Sequence, residues 1–420
     1  MRIKKLILLI LLSVLVSLNF CKRNQHKIIK VGFLYPFNTK VGESMKNSAI
    51  LTVDKINKSG GIVISKNGIK NTYKIKLVFI DDGYTEVARG SYNFRKAIEK
   101  HNLKYVIGGL LSKVILPLME IMAEKKVLWL CVGGASNRII TKIEKNYEKY
   151  KYYFRTGVLD TLVQGKAVAE FAKKTFLPRG IKKIVALGLN HSYGKQVLNR
   201  ITSLLKIAGF KIIYKRFISS DIKDFSTILK KIQNAHAIAC VFLSKEAETL
   251  ITLAGKLGIN KRKPIFGVIA PSYAPDFFEK TKKGAAWTSS YQSNGGPVDK
   301  TGKKLVFNFI KKYVKRFKKP PFWLSYGTYD AFRLFKKSVE NTKSFIVDDI
   351  IKTIENDNFE YEGLRLLKWN KKNHDLIFGL KNGKFYAHGT IFQYFPDGKR
   401  YPVYPDKYKV RNYAFPLNLK

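Results

Sequence analysis

Side chains able to do chemistry are present in this chain, but their spacing argues against catalysis. Asp81-Asp82 closes an apolar run and offers two carboxylates. Neighbours on a strand point to opposite faces, so the pair cannot share a metal. Ser203 and Lys206 have the SxxK spacing of an acyl-transfer site, yet they fall on an amphipathic helix pattern without companion motifs. GGLLSK (108–113) has the glycines of a phosphate loop without its GK[ST] core. HExxH, CxxC and GxSxG are absent, and the 6 histidines are scattered without ligand spacing. These residues point to no enzyme, no cofactor and no metal site. What stands out is VLWLCVGGASN (127–137), an apolar run that collapses into residues with almost no side chain. Gly-Gly there is either ordinary strand-to-helix punctuation or a seat where a small anion approaches main-chain N–H groups.

Such a seat needs elements to hold it. From residue 28 the chain alternates apolar runs with helical periodicity. IIKVGFLYP, YKIKLVFIDD (73–82), LKYVIGGL (103–110) and VLWLC read as strands. Met45, Ala49, Val53 and Ile56 line one face of an intervening helix that stops at Ser59-Gly60-Gly61. The rhythm pauses at YYFRTGVLDTLVQG (152–165). It then resumes with strands IKKIVALGL (181–189), KIIYKRF (211–217), AIACVFL (237–243) and PIFGVI (264–269). Repeats of this kind build parallel sheets that bind ligands at the carboxyl ends of their strands. Two successive units imply two lobes with a cleft between them. From about residue 285 the rhythm weakens, and 369–410 reads as short strands and turns.

The 420 residues, 45% of them hydrophobic, suffice for two or three domains with buried cores. Lys+Arg exceed Asp+Glu by 78 to 30, a formal charge of +48, but the lysines are spread along the whole chain. They read as solvated faces, and no nucleic-acid-binding signature accompanies them. At the N-terminus, Arg2, Lys4 and Lys5 precede an apolar run from Leu6 to Val16, which is short for a span and suits an export signal. Leu18-Asn19-Phe20-Cys21 resembles a bacterial lipobox with Cys21 as the lipidated residue, although Phe20 is larger than the pattern prefers. Cys131 and Cys240 lie in apolar runs and read as buried free thiols.

IKVGFLYP, DKINKSGGI, LVFIDD, KYVIGG, RTGVLD and HSYG follow one another as in type I periplasmic binding proteins. The chain is most similar to the branched-chain amino-acid (leucine/isoleucine/valine) receptors of ABC transporters, from about residue 28 to 340, with an echo in EGLRLLKWNKK and PDGKRYPVYP. The resemblance implies an α/β fold of two Rossmann-like lobes with parallel sheets, joined by three crossing segments. After a signal or anchor (1–21), lobe I would comprise 27–157 and 290–362, and lobe II 158–289 and 363–420.

It also implies a ligand carboxylate held at Leu110, Leu111 and Ser112 and at Gly133–Ser136, with Ala135 where the family has threonine and Ser136 as a replacement hydroxyl. The Gly133 carbonyl and Asp160 would take an ammonium, and Tyr193 would close from the second lobe. The residue-level alternatives are a helix cap for Ser112, an exposed turn for Asp160 and plain packing for Tyr193. Where the family carries a second acid this chain has Ile269, which leaves an ammonium one counter-charge short. The implied role is an exported, membrane-tethered, cell-envelope receptor that passes an amino acid, amide or small carboxylate to an ABC permease. A ligand-degenerate lipoprotein adaptor and a sensory receptor are the rivals.

Overall fold

The computed structural model describes residues 27–416 apart from 220, 223–224, 275, 294–303 and 388. The expected signal segment and Cys21 lie outside the described residues. Among the described residues, no helix is long and apolar enough to cross a membrane.

The expected strands form two sheets. The first, ordered β2-β3-β1-β4-β5-β6, contains β1 (Lys27–Tyr35), β2 (Ile62–Lys66), β3 (Ile69–Asp81), β4 (Tyr105–Gly108), β5 (Leu128–Cys131) and β6 (Tyr153–Arg155). Its strands pair in parallel except for the β2/β3 hairpin. Every residue of β4 and β5 is buried, as in sheets covered on both faces, so their sequences run apolar without alternating. The second sheet has β7 (Lys183–Leu189), β8 (Lys211–Ile218), β9 (Ala237–Phe242), β10 (Ile265–Ile269) and β11 (Thr288–Gln292) in parallel. Its antiparallel edge consists of β16 (Thr390–Tyr394) and β17 (Arg400–Tyr404).

Beyond residue 285, where periodicity fades, the chain forms helices Lys304–Phe317, Ser325–Thr342 and Val347–Glu355. The middle one is buried throughout its first two turns, Ser325 to Phe332, and shows a polar side only from Arg333 onward.

Two expected boundaries move. The break at 289/290 cuts β11, whose backbone bonds keep it whole in the second sheet. Nor does the chain join the second lobe at 363. Between β12 (Tyr361–Glu362), β13 (Leu366–Leu367) and Leu376 it lies along β6, where Arg155 N donates to His374 O (3.2 Å) and Trp369 Nε1 to Arg155 O (2.7 Å). The His374 ring also stacks on Phe154 at 3.8 Å. The chain then passes through the hairpin β14 (Gly379–Lys381) and β15 (Lys384–Tyr386) to β16.

Candidate functional site

The loops after β4 and β5 meet at the carboxyl end of the first sheet. Gly133 N donates to Gly109 O and Gly134 N to Leu110 O, each at 2.9 Å. A Cβ on Gly133 would stand 2.3 Å from Leu110 O. These glycines therefore let one loop lie against the other, and their N–H groups are spent within the chain rather than open to a guest.

The open donors are elsewhere. Among the described residues, the N–H groups of Ser112, Lys113 and Ala135 have no acceptor in the chain. Ser112 and Lys113 begin the helix Ser112–Lys125, whose first N–H groups lack intrahelical partners and carry positive potential.

Ser112 is not a helix cap. The cap position is Leu111, half-buried and without a capping side chain, while Ser112 Oγ accepts from Ser136 N at 3.0 Å and so bridges the two loops. Its hydroxyl proton stays available for donation. Ser136 caps the helix Asn137–Lys145 through Arg138 N (3.3 Å). Among the described residues, Gly133 O receives only the Cys131 thiol, at 3.6 Å, a weak donor. Ala135 O accepts from Thr161 N at 2.9 Å, tying this loop to the start of the second lobe.

Asp160 is buried, contrary to an exposed turn. One carboxylate oxygen caps the helix Thr161–Phe176, accepting from Leu162 N (2.5 Å) and Val163 N (3.1 Å). Its charge acts on Asp375, which the segment beside β6 brings against Arg155. Arg155 is fully buried. Its Nη2 donates to Ser136 O (3.2 Å), its Nε lies 3.2 Å from Asp375 Oδ1, and its Nη1 has no partner. Burial pushes the Asp375 carboxyl up to about 7; Arg155 opposes the shift and Asp160 adds to it. With both acids ionised, the three groups sum to one negative charge. Asp375 was invisible to sequence reading because it sits in a polar turn, NKKNHD, with no local pattern of a site.

On the second lobe, Tyr193 Oη donates to Gln164 Oε1 at 2.6 Å, one turn beyond Asp160. His191 caps the helix Ser192–Ile207 through Gly194 N (3.3 Å). It is held below its ordinary value by partial burial, with Lys113 of the first lobe adding to that shift and Glu246 opposing it. Lys113 of the first lobe thus lies near enough to His191 for its charge to act there. Elsewhere between the lobes, Trp323 meets Tyr273 with ring centres 5.8 Å apart, and Lys40 approaches Asp276 at 4.0 Å.

Ile269 does not belong with these residues. It is fully buried in the second core, and its N–H donates to Ser290 Oγ (2.9 Å). Glu246, the buried acid nearest in sequence, is consumed by Leu243 N and Ser244 N, both at 2.9 Å. Asp82 is buried at the end of β3, with Oδ1 accepting from Tyr84 N (2.8 Å) and Oδ2 without a partner. No cluster of potential metal ligands occurs among the described residues.

Comparison with known proteins adds the relationships. Residues 28–387 match the family described as periplasmic binding protein. The leucine-, isoleucine-, valine-, threonine- and alanine-binding protein of Pseudomonas aeruginosa is 24% identical over 242 residues, 56% of this chain and 59% of that protein. The Leu/Ile/Val-binding protein BraC3 of Rhizobium johnstonii is 28% identical over 213 residues, 50% of this chain and 52% of that protein. The chain thus spans somewhat over half the length of these curated relatives. The substrate-binding protein LivJ of Streptococcus pneumoniae, solved with isoleucine, superposes with a TM-score of 0.70 at 18% identity, covering 90% of this chain and 100% of that one.

Proposed function

Because this chain belongs to the periplasmic binding protein family, we propose that it is an extracytoplasmic solute receptor that captures a small α-amino acid between its lobes and delivers it to an ABC permease. The observation that carries this reading is the pairing of two unlike half-sites. Open N–H groups at Ser112, Lys113 and Ala135, with the Ser112 hydroxyl, suit a carboxylate. A few residues away, Asp160 and, once ionised, Asp375 outweigh Arg155 by one negative charge and suit an ammonium, with the Gly133 carbonyl as a further acceptor. Asp375 supplies the counter-charge that Ile269 cannot. A buried ammonium without such pairing would be costly.

Tyr193 approaches from the opposite lobe and presents an apolar ring with a hydrogen-bonding tip. Binding favours the closed arrangement in proportion to the extra contacts made there. Family membership accords with an exported protein, and tethering through Cys21 belongs to the same proposal. Calorimetric titration of the purified chain with L-isoleucine, L-leucine, their amides and isobutyrate tests it. Saturable binding of the amino acids, weaker for either truncated form, is expected. No heat from any of them would favour the adaptor role instead.

A further inference from the structure

A second buried guanidinium lies among the segments that join the lobes. Arg365 is 3% exposed and sits between β12 and β13. Its Nη2 donates to Thr156 O (3.1 Å) and Gly157 O (2.7 Å), where the chain first leaves the first lobe. Its Nη1 donates to Ser293 O (2.9 Å), where the chain leaves β11 to return. One side chain thus holds two passages between the lobes from a third segment.

The base of Arg365 is itself anchored. Asp330, buried in the helix Ser325–Thr342, accepts from Leu364 N at 2.8 Å and compensates the guanidinium at longer range. A Cβ on Gly363 would fall 2.3 Å from Asp330 Oδ1, so the turn wraps tightly on that carboxylate. A charge whose direct hydrogen bonds all go to carbonyls is expensive to bury. The planar fork of arginine fixes the directions of its several donors, whereas the three donors of an ammonium rotate about a single point.

We propose that Arg365 is a positioning residue that sets the hinge: by clamping the first passage to the second it limits how far the lobes open and holds Asp160, three residues beyond Gly157, in register with the first lobe. This rests on the hinged-receptor reading above, but its test needs no ligand, so the two can fail separately.

The experiment is hydrogen–deuterium exchange of the full chain, ligand-free, for wild type, Arg365→Met and Arg365→Lys. Both variants are expected to exchange about tenfold faster or more in peptides covering Thr156–Asp160 and Ser293, while Val31–Leu34 of β1 and Val185–Gly188 of β7 stay protected. Three results would overturn the proposal. They are unchanged exchange at Thr156–Asp160, a loss of protection spread evenly through both sheets, and full restoration by Arg365→Lys, which would mean that charge alone suffices.

Discussion

The buried Asp375 carboxyl makes the stability of the empty receptor fall, and its affinity for an ammonium rise, with pH. Burial, opposed by Arg155 and aided by Asp160, moves Asp375 from an ordinary value of 3.8 to about 7. The displacement penalises the ionised form. Without ligand, the folded protein keeps a proton that the unfolded chain releases. Stability is therefore highest below the unfolded value, falls as pH rises through the window between about 4 and 7, and loses this contribution above it. Asp82 and Asp330, both pushed up to about 6 chiefly by burial, share that sign, so the total slope is not Asp375's alone.

A ligand ammonium binds the ionised form and reverses the dependence. Affinity for L-isoleucine should rise by up to about tenfold per pH unit toward pH 7 and level off above it. Asp375→Asn should abolish the rise and lower the plateau, because Asp160 alone only balances Arg155. Calorimetry of both proteins with L-isoleucine from about pH 5 to about pH 8 reads the effect. A flat wild-type profile, or a slope that survives in Asp375→Asn, refutes the reasoning.

Further outcomes concern single side chains. Ser112→Ala removes a hydroxyl that would donate to a carboxylate, and it should weaken L-isoleucine binding about tenfold or more by calorimetry. It should also lower the melting temperature modestly, since Ser136 N loses its acceptor. Gly133→Ala forces a methyl to 2.3 Å from Leu110 O and should destabilise the fold by about 1–3 kcal/mol in denaturant titration. Tyr193→Ala should raise the dissociation rate of L-isoleucine in stopped-flow displacement, whereas Tyr193→Phe, which loses only the bond to Gln164, should change it far less.

The local pattern determined most of the scaffold. Apolar runs alternating with helical periodicity specify strands and helices through neighbours a few residues apart, and β1, β4, β5, β7, β9 and β10 lie where that pattern put them. Ser112, Gly133, Ser136, Asp160 and Tyr193 were singled out by resemblance to one family, and their part in ligand binding is a proposal. Their partners were not singled out. Asp375 reaches Arg155, and Arg365 reaches Thr156, across more than two hundred residues, and no periodicity records which distant turn lies beside β6. Tertiary packing also decided the role of the glycine patch, whose N–H groups serve loop-to-loop contact, and it sent Ile269 into the core. Burial of one face is a local property that composition can encode. The pairing of a buried charge depends on which segments the whole chain brings together.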